Sequence, residues 1–496
     1  NSLYGAGGRE NLFLGGEKIL EAVLKEFEAL AKIPRPSKHE EAIGKYLVER
    51  LTALDLSVER DPIGNVIADL DASDGCENVP RTILQAHMDM VCVADDGVNY
   101  NPLTDPIKLI RDGEYLRADG TSLGADDGMG VALIISVIKN FVDDPTLKHG
   151  AIRAIFTVDE EIGMFGAKEL DAKYLNDAHY LINCDSENAE ELVIGSAGSV
   201  YVDFVRPLNL TTPRGAHAFR LTIDGLKGGH SGLEIHTGRA NAIKVLAELL
   251  STIEKAGAVE IATIKGGKAT NAIADSAEAL IVTTLDAEQL TPIVNLFADD
   301  FNKKYGAIEH DFKLSAESVS MPDGVLENGG KVVEFLMGLP NGMLAMVTPE
   351  LTETSANIGI VVIEGDRLRI RYFPRSCIDA KLIEIVDEVK ALAGRTGFAV
   401  EDRKPSAAWT PNPNSRLARL MESIYARQNG RPMQVKVIHA GLESSYFFEK
   451  NRALDIVSVG TTNEHIHSPR ERLKLSTVPV QFNLLRETLI GIAANV

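Results

Sequence analysis

Cysteine is scarce, with four in 496 residues: Cys76, Cys92, Cys184 and Cys377. They are too few and too scattered for a disulfide framework, and none stands in a CxxC pair, so a cysteine-based structural zinc site has no support. Buried, reduced thiols in a cytoplasmic protein are the expectation. Positive charge is also short, with 51 Lys and Arg against 71 Asp and Glu and a net charge of −20. Such a surface repels the phosphates of nucleic acids and anionic membranes, so neither is expected as a partner. No apolar run approaches the ~18 residues that span a bilayer. No basic stretch followed by a long apolar one marks a secretory signal. The GxSxG elbow, HExxH and the phosphate-binding GxxxxGKS/T loop are missing as well, and Gly266-Gly267-Lys268-Ala269 matches the last only superficially. Gly5–Gly8 lacks the strand–turn–helix setting of a dinucleotide site.

What is present suits a globular chain of two or three domains, with 45% hydrophobic and 25% charged residues. The opening NSLYGAGGRENLFLGG reads as a leader outside the fold. From near Glu17, the residues Ile19, Leu20, Val23, Leu24, Phe27 and Leu30 recur at helical spacing, and Pro34-Arg35-Pro36 breaks that helix. Ser37 followed by Glu40 reads as a capping box for a second helix, to about Thr52. Apolar strands over Thr82–Ala86, Ile152–Val158 and Tyr180–Asn183 then alternate with helices over Gly128–Asn140 and Ala167–Tyr174. That alternation predicts an α/β domain with a mainly parallel sheet. Near Ser199 the texture changes. Strands at Ala218–Ile223, Leu280–Leu285 and Leu368–Tyr372 and helices at Arg239–Lys255 and Leu382–Ala393 read as an inserted α+β domain. Trp409 and the Pro-Asn-Pro-Asn run at 411–414 mark the return, before a helix over Ser415–Gln428. The expected division is 17–198 and 408–496 for the first domain and 199–407 for the insertion.

Acidic and histidine clusters fall at the ends of the expected strands, where open α/β sheets bind ligands. In ILQAHMDMV, His87 and Asp89 are two apart and share a face of an extended backbone, so one can ligate a metal while the other orients it. Taken alone, the pair reads rather as strand-end polar side chains. In LGADDGMGVA, Asp126 or Asp127 could bridge two metals or simply cap a helix. An apolar strand delivers Asp159-Glu160-Glu161, three acids that repel one another unless cations neutralise them. One metal-binding carboxylate beside one general base is what a hydrolase needs. LINCDSE ends in Asp185, and EHIHSPRERL offers His465 and His467. His, Asp and Glu together are donors suited to zinc or a similar divalent ion.

With those residues in hand, the chain resembles the co-catalytic di-zinc metallopeptidases related to carboxypeptidase G and aminoacylase, and within them the aminoacyl-histidine (cytosolic non-specific) dipeptidases. HMDMV, LGADDGMGVA, DEEIGMFGA, INCDSE, LKGGHSGLEIH, GRAN, IHAGLE and HSPRERL carry the likeness, in order, from about Ile19 to the C-terminus. The resemblance implies a zinc-peptidase-like catalytic domain interrupted by a lid, and two zinc ions per chain, with manganese or cobalt as substitutes. It implies His87 and Asp185 on one metal, Glu161 and His467 on the other, Asp126 bridging, Glu160 as general base and Asp89 orienting His87. His467 is preferred to His465 because the final ligand stands four residues before an acid, here Glu471. A cis peptide after the bridging Asp is implied too. In the lid, His230 of GGHSG would reach across the cleft to the oxyanion, while Asn271 and Arg375 would bind the substrate's carbonyl and terminal carboxylate. His439 and Glu443 of IHAGLE stay open between pocket and structural roles. Ser444-Ser445 stands where relatives usually have Cys-Gly. The implied activity is hydrolysis of dipeptides with a free N-terminus, Xaa-His included. An N-acyl amino acid amidohydrolase, or a metal-binding protein without turnover, is the alternative. Pairing of two copies through the lid is left open, since a long lid could replace a partner's contribution.

Overall fold

The structure is a computed structural model and describes residues 7–348 and 351–494. It divides into two compact units. The first comprises residues up to Gly195 with Pro411–Lys436 and Leu442–Val496, and the second comprises Ser196–Thr410 with Val437–Gly441.

The first unit is built on an eight-stranded sheet. Its four central strands, Ile152–Thr157, Arg81–His87, Ala178–Asn183 and Asp455–Ser458, run parallel, while the flanking strands Val66–Leu70 and Glu191–Ser196 run antiparallel to their neighbours. Ile152–Thr157 is buried along its whole length, as strands covered on both faces require. The helix Ala125–Asp143 buries Met129, Leu133, Ile134, Val137 and Phe141 and packs on the strand Arg81–His87. A small four-stranded sheet joins Leu109–Asp112 and Tyr115–Ala118 to Arg472–Lys474 and Asn463–Glu464, returning the C-terminal segment to the same unit. The second unit is α+β. A ten-stranded sheet, antiparallel in every described pairing, carries the helices Ala242–Glu254, Ala287–Tyr305, Gly330–Gly338 and Asp379–Thr396 around a core of its own. Among the described residues no helix is long and apolar enough to cross a membrane.

Three local expectations are corrected, the first being the helix over Ala167–Tyr174, which is instead a short α-helix, Phe165–Glu169, followed by a separate 3-10 turn at Ala172–Tyr174. The first helix runs from Gly7 to Ala31 and so begins inside the stretch set aside as a leader. The second spans Glu41–Thr52 but has no side-chain cap, because Ser37 and Glu40 bond to distant residues instead.

Candidate metal centre

Parallel strands finish at one edge of a sheet, and that edge gathers the donors. His87 closes its strand opposite Thr157. Asp159, Glu160 and Glu161 follow Thr157, and Asp185 stands two residues beyond Asn183. Asp126 comes from the opening of Ala125–Asp143, where its φ of −81° and ψ of 111° are not helical. The Asp126–Asp127 peptide is cis. His467 lies in the loop between Asn463–Glu464 and Arg472–Lys474.

Two groups of three donors result, His87–Asp126–Asp185 and Asp126–Glu161–His467, with the ligand atoms of each within 4.8 Å of one another. His87 Nε2 lies 3.0 Å from Asp126 Oδ1 and 3.5 Å from Asp185 Oδ1. His467 Nε2 lies 3.0 Å from Asp126 Oδ2 and 2.9 Å from Glu161 Oε2. An imidazole nitrogen carries at most one hydrogen, so it cannot satisfy two carboxylates at once; a cation among the three donors can. The residues therefore fit a divalent ion in each group, with Asp126 common to both. His465 belongs to neither group.

Charge is out of balance here. Contacts with Asp126 and Glu161 hold the His467 imidazolium up to about 11. Burial opposes a charge on His87, yet Asp185, Asp126 and Asp89 raise it well above its ordinary value. Burial, together with the negative charge of Asp185, Glu443 and Glu161, pushes the Glu160 carboxyl well up. Protons fill the role that a cation would take.

The pairing of Asp89 with His87 was expected from the sequence; the contacts around it were not. Asp89, fully buried, lies 3.3 Å from His87 Nδ1. Its oxygens accept the Ser37 hydroxyl at 2.7 Å and the backbone N–H groups of Glu160 and Glu161 at 3.1 and 3.2 Å. The Asp159 N–H donates to Glu40 at 2.9 Å, and the Lys38 N–H donates to Asp159 at 2.7 Å. The segment read as a helix cap is thus a strap across two strand ends. Glu443 Oε2 accepts from Gln85 Nε2 at 2.6 Å and Thr157 Oγ1 at 2.7 Å, tying the same two strands together. Ser444 and Ser445 are buried beside it.

A second polar cluster lies wholly within the second unit. His230 Nδ1 accepts the backbone N–H groups of Gly232 and Leu233 at 3.2 and 3.0 Å, which places the ring proton on Nε2 as a free donor. Burial and then the charge of Arg375 lower its pKa, so the ring is neutral. Arg375 is 6% exposed, its Nε has no hydrogen-bond partner among the described residues, and burial brings it down to about 10. His439 is pushed down to about 3 by burial and then by the Arg375 charge, and its Nε2 lies 2.7 Å from Ser355 Oγ. A Cβ at Gly232 would fall 3.0 Å from the His230 ring, 3.3 Å from the Arg375 guanidinium and 2.2 Å from the His439 carbonyl oxygen, so only glycine lets the three converge. Asn271 is exposed; its carbonyl accepts the Ser231 N–H at 2.9 Å, next to the pairing of His230 with Ala272.

Residues 83–490 match the model of peptidase family M20/M25/M40. The chain is 34% identical over 476 residues to the cytosol non-specific dipeptidase of Escherichia coli, covering 94% of this chain and 97% of that one. The crystal structure of aminoacylhistidine dipeptidase from Vibrio alginolyticus superimposes with a TM-score of 0.88 at 33% identity, covering 95% and 96% of the two chains. A Staphylococcus aureus tripeptidase shares the fold, with a TM-score of 0.56 at 18% identity over 96% of this chain and 99% of that one.

Proposed function

The chain belongs to peptidase family M20/M25/M40, and from that premise we propose that it is a metal-dependent dipeptidase cleaving dipeptides with a free N-terminus, Xaa-His among them. The observation that carries this reading is the position of Glu160, next in sequence to the donor Glu161 and anchored through its N–H to the Asp89 that orients His87. In this reading His87 and Asp185 would hold one zinc ion and Glu161 and His467 another, with Asp126 a donor common to both sets. Such a pair of ions, when bound, acidifies a water and polarises the scissile carbonyl. Glu160 takes the proton from the attacking water and delivers it to the leaving amine. His230 offers its Nε2–H to the carbonyl oxygen as negative charge develops there, Asn271 assists at the carbonyl, and Arg375 receives the terminal carboxylate. The second unit thus serves as the substrate-binding lid. Four free cysteines accord with a cytoplasmic setting.

The test is hydrolysis of β-Ala-His, Gly-His, Leu-Gly and N-acetyl-methionine by metal-free protein and after adding zinc, manganese or cobalt. Metal-dependent cleavage of the three dipeptides is the expected result. Turnover of the acetylated substrate alone would replace the reading with an amidohydrolase.

A further inference from the structure

The Asp126 loop carries the one donor common to both groups, and its shape is set by two buried charges that neither donor group includes. Glu471 is 2% exposed. Its Oε2 accepts the N–H groups of Leu123 and Gly124 at 2.8 and 2.9 Å, and its Oε1 accepts those of Ala125 and Asp126 at 2.8 and 3.3 Å. Four consecutive donors at the opening of a helix, which would otherwise lack partners, end on a single carboxylate. From elsewhere in the unit comes Arg35, also 2% exposed. It donates to the Gly124 carbonyl at 2.5 Å and to the carbonyls of Met88 and Asp89 at 3.0 and 2.9 Å. Gly124 is therefore held at its N–H by an anion and at its C=O by a cation. The same guanidinium fixes the turn after His87. Gly124 itself has φ +69°, and a Cβ there would lie 2.6 Å from Met90 Sδ and 2.7 Å from Arg35 Nη2. A side chain would displace the clamp.

We propose that Glu471 and Arg35 are positioning residues that present Asp126 in its ligating geometry before any metal arrives. Glu471 stands in the same loop as His467, whose Nε2 lies 3.0 Å from Asp126. One loop thereby sets both a donor and the shared carboxylate facing it. A loop held this way is ordered during folding, so a binding ion does not have to order it. This inference rests on the metal reading above only for its second measurement.

Hydrogen–deuterium exchange of the full-length, metal-free protein tests it first. The amides of residues 123–126 are expected to exchange as slowly as those of the core strand Ile152–Thr157. Free exchange without metal, with protection only after zinc is added, would overturn the proposal by making the ion the organiser. The second measurement is zinc affinity by chelator competition in Glu471→Gln, where one acceptor oxygen becomes an amide group facing two backbone N–H groups. At least tenfold weaker zinc binding and faster exchange at 123–126 are expected, with strand protection retained. Unchanged affinity and exchange would refute the clamp. Should that variant fail to fold, Arg35→Lys, which keeps the charge and loses the fork, is read the same way. A wild type that binds no zinc defeats the metal reading instead, and leaves the clamp to be decided by exchange alone.

Discussion

The two polar clusters are incomplete in opposite senses. In the first unit, carboxylates outnumber cations, and His87, His467 and Glu160 are driven to hold protons. In the second unit, the buried Arg375 guanidinium lies over the Phe373 ring with no carboxylate paired to it among the described residues, and two histidines are kept neutral beside it. The first arrangement asks for cations and the second for an anion. Both conditions are unfavourable in an empty protein, since a buried charge without a counter-charge is costly. In the proposed reading, a pair of divalent ions and a peptide's carboxylate would answer them in turn. The lesson is that a site can be recognised by what its charges lack.

That contrast can be broken from either side. The largest effect is expected at the base: Glu160→Gln should lower kcat by about 10²- to 10⁴-fold with zinc stoichiometry unchanged, as rates and metal analysis will report. His230→Ala should lower kcat by about 10²- to 10³-fold, the usual loss for one oxyanion donor, again without altering metal content. Loss of metal in that variant would erase the separation of roles between the clusters. Arg375→Met removes the carboxylate's partner, and a charged hydrogen bond of about 1.5–3 kcal/mol predicts a KM raised about tenfold to a hundredfold. The metal-free variant should nevertheless melt no lower than the parent, because an unpaired buried charge has gone. A markedly lower melting temperature would show that Arg375 has structural work of its own.

The smallest effects sharpen the comparison through pH. His439 sits at about 3 in the folded protein, below its unfolded value of about 6.5. The unfolded chain therefore binds the extra proton between these limits, and stability should fall as pH drops from about 6.5 towards 3. His467 in the metal-free protein sits at about 11. Here the folded state binds the extra proton, so its contribution is complete below about 6.5 and is lost as pH rises towards 11. Denaturant melts across pH should lose the acid limb in His439→Gln and the alkaline limb in His467→Gln. Saturating zinc should abolish the second limb in the parent, because the metal takes the place of the proton.

The apolar strands that end in His87 or lead to Glu160 and Asp185 were legible because hydrophobic runs interrupted by acids are local signals. So were the helices Glu41–Thr52, Ala125–Asp143, Ala242–Glu254, Asp379–Thr396 and Arg416–Asn429, to within a few residues at their ends, whereas Ala287–Tyr305, Gly330–Gly338 and Thr477–Ala494 drew no reading. The strap was not legible either. Ser37 and Glu40 satisfy a rule that looks three residues ahead, whereas their partners are Asp89 and Asp159, brought near only by the fold. Arg35 was read as part of a break for the same reason. Only the first turns of the opening helix were missed, because glycines in NSLYGAGGRENLFLGG weaken their propensity, while the rest of the helix packs against Ala125–Asp143. IHAGLE gave no sign that it is divided, with His439 in the second unit and Glu443 in the first.

That division has a consequence for heredity. Val437–Gly441 belong to the second unit although the chain has by then resumed the first, and the His439 carbonyl occupies the space a side chain at position 232 would need. A gene fragment for 196–410 therefore encodes an unfinished body, lacking a stretch that Gly232 is shaped to receive. Exchange of that fragment between relatives would transplant one half of a fitted joint. The two stretches have to be inherited together, so recombination at the obvious borders is a poor route to new specificity.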